Sequence, residues 1–201
     1  MFTDIVKSSV LWSKYPNKMN TALKTHEKLI YKLVKKYGGI IIKTIGDAVM
    51  VFFKNDFKNG ILCALEIQYE LTVNPIYLSK EENIFIELRI GLCYGPANMH
   101  NVVYQGITLK DYFGNSVNTA SRMESKVSQK GSVAVCFIEK QDEGFSFLNN
   151  ISNQYDLTIK VKNYSHKCDK KRSERLLNYE CLDPEILHGV NEIEAYLLIL
   201  N

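Results

Sequence analysis

The chain has 201 residues, of which 46% are hydrophobic and 23% are charged, and this composition fits one globular domain with a substantial core. The net charge of +3 is too small to indicate nucleic-acid binding, and the basic run at 166–175 is interpreted as a solvated loop. Five widely spaced cysteines, without a C-x-x-C pair, argue against a disulfide framework or a zinc site and favour a cytoplasmic protein with reduced thiols.

Hydrophobic periodicity predicts strands mixed with helices along the chain. Residues 18–37 carry apolar side chains at helical spacing with lysines on the other side, and a glycine pair ends that helix. Residues 40–53, IIIKTIGDAVMVFF, predict a β-hairpin with a tight turn at Gly46-Asp47. The other predictions are strands at 1–6, 84–95, 98–106, 132–137, 156–161 and 193–200, and helices at 57–72, 114–127 and 138–149. The pattern indicates an α+β fold with one mixed, mainly antiparallel sheet and helices packed on it.

Two acidic residues lie at the ends of hydrophobic, strand-like runs: Asp4 in FTDIV and Asp47 in the hairpin turn. If the two strands are neighbours, both carboxylates reach one point at the edge of the sheet. Carboxylate oxygens suit Mg²⁺ or Mn²⁺, which keep bound waters and also bind substrate phosphates. Taken singly, each residue also fits a structural role, since Gly-Asp is a common turn pair.

A second polar cluster, DYFGNSVNTASRME, occupies residues 111–124. Asn118 and Arg122 are four residues apart in a predicted helix and therefore share one face, where the planar guanidinium could bind a phosphate. A surface arginine beside a helix asparagine would give the same spacing. Lys43 lies in an otherwise apolar strand and could point to solvent, while Asp111 fits an ordinary loop.

The segments FTDIVKSSVLW, GGIIIKTIGDAVMVFF, LRIGLCYGPA and DYFGNSVNTASRME occur in this order, and together they resemble the catalytic domain of class III nucleotidyl cyclases, specifically adenylate cyclases. The resemblance runs from Met1 to about Phe137, with a weaker match in LHGVNEIEAYLLIL near the end of the chain. It implies a ferredoxin-like cyclase homology domain spanning residues 1–201. Residues 138–187 match the family poorly and could hold an insertion or a regulatory segment.

The resemblance also implies roles for individual residues. Asp4 and Asp47 match the two metal-binding aspartates, with the backbone carbonyl of Ile5 as a further metal ligand. Lys43 and Asp111 match the pair that reads the purine ring, and a lysine–aspartate pair is the adenine-selecting combination in this family. The chemistry agrees, because lysine can only donate, which suits adenine N1, while a carboxylate accepts from the exocyclic amine.

The remaining matches concern the sugar and the phosphates. Asn118 matches the residue that orients the ribose, and Arg122 matches the one that stabilises charge on the phosphate in the transition state. Backbone amides at Lys7, Ser8 and Ser9 could bind the β- and γ-phosphates if they open a helix. The chain departs from the family at 188–190, His-Gly-Val, where some members carry a lysine that holds the triphosphate.

The implied reaction converts ATP to 3′,5′-cyclic AMP and pyrophosphate with two divalent cations, Mg²⁺ or Mn²⁺. In the family, one domain supplies the metal aspartates and another supplies the lysine–aspartate and asparagine–arginine pairs. This chain carries both sets, which implies a homodimer, or a heterodimer with a related cyclase domain. No nucleic-acid partner and no membrane segment are predicted. A cytoplasmic location is expected, also if the chain is the cytosolic domain of a larger, membrane-attached protein.

Two alternatives stay open at this point. The chain could be a non-catalytic, cyclase-like regulatory or dimerisation domain that works with a partner cyclase domain. It could also cyclise another nucleotide such as GTP, although guanylate cyclases of this family typically carry glutamate and cysteine where this chain has Lys43 and Asp111.

Overall fold

An eight-stranded sheet lies at the centre of the protein. The computed structural model describes residues 1–54, 56–155, 157–164, 179–182 and 193–201. The strands are β1 (Phe2–Ile5), β2 (Ile40–Ile45), β3 (Ala48–Phe52), β4 (Tyr77–Ser79), β5 (Ile84–Phe85), β6 (Leu88–Tyr94), β7 (Asn98–Tyr104), β8 (Ile107–Phe113), β9 (Ser132–Phe137), β10 (Leu157–Tyr164), β11 (Tyr179–Leu182) and β12 (Ile193–Leu200). The helices are α1 (Ser8–Lys14), α2 (Pro16–Lys36), α3 (Phe57–Val73), α4 (Asn115–Arg122) and α5 (Gln141–Tyr155), and a π-helical turn, Met123–Val127, continues α4.

The order of strands in the large sheet is β11-β10-β12-β9-β6-β1-β3-β2. The β6–β9 and β10–β11 pairs are parallel and the other neighbours are antiparallel. This confirms the predicted α+β fold with a mixed, mainly antiparallel sheet. The short strand β1 lies between β6 and β3, so its side chains are held by hydrogen-bonded neighbours on both sides.

The two faces of the sheet are covered by different helices. One face packs under α2, α3 and α5, and its core includes Ile5, Leu33, Ile61, Leu88 and Leu148. The opposite face packs against α4 and the π-helical turn through a smaller cluster that contains Met123, Val127 and Leu197. Asp4 lies on this second face, because side chains alternate along β1 and Ile5 belongs to the core of the first face.

Local sequence explains where the helices begin and end. α2 starts with Pro16, whose fixed φ suits the first helical turn, and lysines occupy its last turn. α3 is capped by Asp56, whose carboxylate accepts a hydrogen bond from the backbone N–H of Asn59 at 3.1 Å. The hairpin between β2 and β3 turns at Gly46, where φ is +64°.

Most of the predicted elements are confirmed, and strands 132–137 and 193–200 agree with β9 and β12 at both ends. The continuous strand at 84–95 is wrong: it divides into β5 and β6, which belong to different sheets. The helix at 114–127 changes to π-helical geometry after Arg122. Four elements, α1, β4, β8 and β11, were not predicted from the sequence. The basic run at 166–175 and the stretch 188–190 lie outside the described residues.

No helix in the described part of the chain is long and apolar enough to cross a membrane.

Stability should depend on the protonation of His26, a histidine of α2 that is fully buried against the sheet. Burial lowers its pKa from 6.5 to about 4, although Asp4 opposes the shift. Because the unfolded chain binds a proton at pH 6.5 and the folded chain does not, stability should fall by about 3 kcal/mol between pH 6.5 and pH 4. Chemical denaturation of His26→Leu should show a flatter pH profile in this window. The matched control, exposed His100→Gln, should keep the wild-type slope; an unchanged slope in His26→Leu would contradict the assignment.

Candidate active site

The two predicted metal aspartates meet at one end of β1. Asp4 lies in β1 itself, and Asp47 lies in the turn between β2 and β3. The backbone N–H of Ile5 donates a hydrogen bond to Oδ2 of Asp47 at 3.2 Å. This bond ties the hairpin turn to β1, so the two carboxylates are held on adjacent, rigid backbone.

Arg89 is the immediate partner of Asp4. The two residues are directly opposite each other on β6 and β1, and Nη2 of Arg89 lies 2.6 Å from Oδ2 of Asp4. Nε of Arg89 also lies 3.1 Å from Oε1 of Glu124, which is in the π-helical turn. The guanidinium therefore sits between two carboxylates that belong to different layers of the fold.

Glu124 is nearly buried. Burial raises its pKa to about 7, opposed by Arg89 and reinforced by the negative charges of Asp4 and Asp47. The carboxyl groups of Asp4, Asp47 and Glu124 are thus close enough to interact electrostatically. Arg89 contacts two of them, Asp4 and Glu124. The local excess of negative charge is what a site for divalent cations requires.

The donor set fits divalent cations that are completed by other oxygen ligands. The described residues contain no cluster of three or more His, Cys, Asp or Glu side chains suited to a metal ion. Asp4, Asp47 and the carbonyl of Ile5 offer hard oxygen donors only, which suits Mg²⁺ or Mn²⁺ shared with water and substrate phosphates.

Lys43 and Asp111 form a second group. They are 68 residues apart in sequence, yet Nζ of Lys43 lies 2.5 Å from Oδ2 of Asp111. The backbone N–H of Tyr112 donates a further hydrogen bond to Oδ1 of Asp111 at 2.8 Å. Partial burial opposes ionisation, but the hydrogen bond from Lys43 lowers the pKa of Asp111, so this carboxyl is an acceptor at neutral pH.

The strands determine where the side chains of Lys43 and Asp111 lie. A register shift between Ile41 and Lys43 places Lys43 opposite Met50, the residue that also pairs with Phe2 of β1. Lys43 and Asp4 are therefore on the same face of the sheet, because Phe2 and Asp4 are two residues apart. Asp111 comes from β8, a strand rather than an ordinary loop, and β8 is anchored by the stacking of Tyr112 on Phe52 at 4.1 Å.

Asn118 and Arg122 lie one turn apart on α4, as predicted. Asn118 is exposed and Arg122 is half-buried. Neither side chain makes a hydrogen bond or an ion pair within the described residues. Both are therefore available to a ligand or to a second protein chain.

The structure also defines the start of α1. Lys7 adopts a left-handed conformation with φ of +55° and precedes Ser8, the first helical residue. The N–H groups of Val10 and Leu11 donate to the carbonyl of Lys7, while those of Ser8 and Ser9 have no helical partner. A helix therefore begins at these residues, which is the condition for phosphate binding by their amides, and the N–H groups of Ser8 and Ser9 are left for an acceptor.

Arg89 and Glu124 were not predicted as site residues from the sequence. An arginine between apolar residues in a buried strand was the available signal for Arg89, but only the cross-strand register shows that it reaches Asp4. Glu124 resembled an ordinary helix residue. Its contact with Arg89 depends on the π-helical turn.

Comparison with known proteins agrees with this geometry. Residues 1–158 match the family described as adenylate and guanylate cyclase catalytic domain. The chain is 32% identical over 150 residues to an adenylate cyclase of Podospora anserina and 29% identical over 167 residues to one of Schizosaccharomyces pombe. These matches cover 67% and 77% of this chain but only 7% and 10% of the two relatives.

A solved structure shares the fold. It is the catalytic core of a rhodopsin-guanylyl cyclase with converted specificity, in complex with ATPαS. The TM-score is 0.69 at 20% identity, with 100% of this chain and 93% of the other covered. The predicted cyclase homology fold is thereby confirmed, and the chain belongs to the family of adenylate and guanylate cyclase catalytic domains.

Proposed function

We propose that this domain converts ATP to 3′,5′-cyclic AMP and pyrophosphate, using two divalent cations at the interface of a homodimer. The observation that carries the proposal is the Lys43–Asp111 pair, which the fold assembles from two distant segments at 2.5 Å. A preformed donor–acceptor pair on one face of the sheet is suited to reading the edge of a purine.

The chemistry of the pair favours adenine. Lys43 can donate to the N1 acceptor, and the ionised carboxylate of Asp111 can accept from the exocyclic amine. Guanine presents a donor at N1 and an acceptor at O6, so it would face the wrong partner at both positions. The relatives named adenylate cyclases support the same choice.

The homodimer follows from the division of the site. Asp4 and Asp47 would act in one active site, while Lys43, Asp111 and the two α4 residues of the same chain would act in the other. The hairpin β7–β8 supports a paired surface, because one of its faces carries a row of apolar side chains that are 42% to 62% exposed: Val102, Ile107 and Leu109. A two-fold interface would cover this row and bring Asn118 and Arg122 to the partner's carboxylates.

Catalysis would rest on positioning and charge. Asp4, Asp47 and the Ile5 carbonyl would hold the cations, which supply activation of the ribose 3′-hydroxyl and neutralisation of the triphosphate. Asn118 would orient the ribose for in-line attack on the α-phosphorus. Arg122 would donate to the α-phosphate oxygens as charge develops there, and the free amides of Ser8 and Ser9, with Lys7 beside them, would bind the terminal phosphates.

Nucleotide preference tests the proposal. Purified protein with Mn²⁺ and, separately, ATP, GTP, CTP and UTP should form product from ATP with a kcat/KM at least about tenfold above that for GTP, because each mismatched polar contact is costly. Asp111→Asn should lose about tenfold or more in kcat/KM for ATP. Its matched control, exposed Asp142→Asn at the start of α5, should retain wild-type activity.

The other outcomes separate the alternatives. A preference for GTP would overturn the assignment of substrate. Product formed only after a second cyclase domain is added would indicate a non-catalytic partner domain. No product under either condition would contradict the proposed activity.

A further inference from the structure

Arg89 lies between two carboxylates that it does not hold equally. Its contact with Asp4 is short, at 2.6 Å between Nη2 and Oδ2. Its contact with Glu124 is longer, at 3.1 Å between Nε and Oε1, and neither of those two buried atoms has a hydrogen-bond partner among the described residues. Arg89 is therefore committed to Asp4, with Glu124 close by but not aligned to accept a hydrogen bond.

Glu124 is held at that position by backbone packing. The residue is only 8% exposed. A side-chain carbon at Gly91 would lie 2.1 Å from the backbone nitrogen of Glu124, so the π-helical turn rests directly on β6. The backbone of Glu124 cannot move away from Arg89 without displacing the turn from the sheet.

A cation that binds Asp4 must compete with Arg89, because the guanidinium already occupies an oxygen of the same carboxylate. If Arg89 left Asp4 for bulk solvent, the buried Oε1 atom of Glu124 would lose the donor that lies beside it, and an unsatisfied buried polar atom is costly. A small rotation of the guanidinium onto Glu124 would instead align the unsatisfied Nε and Oε1 atoms. Glu124 thus lowers the free-energy cost of separating Arg89 from Asp4.

We propose that Arg89 is the resident counter-ion of Asp4, and that Glu124 is a positioning residue that retains Arg89 when a divalent cation takes Asp4. This inference rests on the proposed function only in its assignment of Asp4 to a cation site. Two carboxylates then share one guanidinium, and cation affinity is set by a residue that touches neither the cation nor the nucleotide.

Binding of Mn²⁺ alone, measured by electron paramagnetic resonance of the free ion, tests the inference without any turnover. Glu124→Gln should weaken binding about fivefold or more, since Asp4 is then the one anionic partner that Arg89 keeps in the described part of the chain. The double variant Arg89→Gln/Glu124→Gln removes both charges and should bind Mn²⁺ at least as tightly as the wild type. Arg89→Lys, which keeps a charge but cannot span both carboxylates, should bind more weakly than the double variant.

The outcomes separate the inference from the proposed function. Asp4→Asn should abolish the binding, and thermal unfolding should show that each variant is folded. Binding that depends on Asp4 but is unchanged in Glu124→Gln would overturn the inference and leave the cation site intact. A double variant that binds as weakly as Glu124→Gln would also overturn it, because Glu124 would then act without Arg89. Equal binding by wild type and Asp4→Asn would contradict the cation site and the inference together.

Discussion

Replacing Asp47 with asparagine should lower the rate of cyclic AMP formation by about a thousandfold or more. The side-chain oxygen of asparagine can still accept the hydrogen bond from the N–H of Ile5, so the hairpin turn should stay in place. The substitution removes one of the two carboxylates proposed to hold the cations, and the charge stabilisation supplied there accounts for several kcal/mol of the barrier.

Asp142→Asn is the matched control for this loss, because it makes the same chemical change at an exposed position of α5. Both variants should unfold within a few degrees of the wild type. A folded Asp47→Asn protein that keeps a tenth or more of the activity would show that Asp47 is not a cation ligand.

Gly91→Ala should cause the largest loss of stability. An added side-chain carbon would lie 2.1 Å from the nitrogen of Glu124 and 2.5 Å from the carbonyl oxygen of Ala120, both of which are backbone atoms. Because backbone cannot rotate away, α4 and the π-helical turn would have to lift from β6, at a cost of about 3–5 kcal/mol. In a domain of this size the midpoint of thermal unfolding should fall by about 10 °C or more.

Gly60→Ala tests whether this loss is specific. Gly60 lies inside α3, where alanine is the better helix former, and the atoms nearest to its added carbon would be side-chain atoms of Leu92 and Phe53, at 3.3 Å. Thermal unfolding followed by circular dichroism should place Gly60→Ala within a few degrees of the wild type. A midpoint of thermal unfolding for Gly91→Ala within a few degrees of the wild type would contradict the close packing of α4 on the sheet.

Elements that bury both faces could be predicted from sequence almost to the residue. All six residues of β9 are buried, so they appear as an unbroken apolar run with β-branched side chains. The β2–β3 hairpin was predicted by its turn pair and the flanking runs. An apolar run and a turn pair are each contained in a short segment, so the sequence of that segment is enough to predict the element.

Strand β8 shows why other elements could not be predicted. Its sequence, ITLKDYF, lies on a projecting hairpin that is largely exposed, so no alternation of buried and exposed side chains marks it. The same limit applied to the site. Asp4 and Asp47 were predicted as a pair, whereas the Arg89–Glu124 contact depends on a register and a π-helical turn that no short segment encodes.

The most direct test of the shared site mixes two inactive variants. Asp47→Asn damages the cation half of the site and Asn118→Ala damages the ribose half, so each homodimer should be inactive. After the subunits exchange, half of the dimers should be mixed, and each mixed dimer should carry one intact site of two. We therefore expect recovery of about a quarter of wild-type activity. A mixture that exchanges subunits, as followed by labelled chains, yet stays as inactive as its components would contradict the shared site.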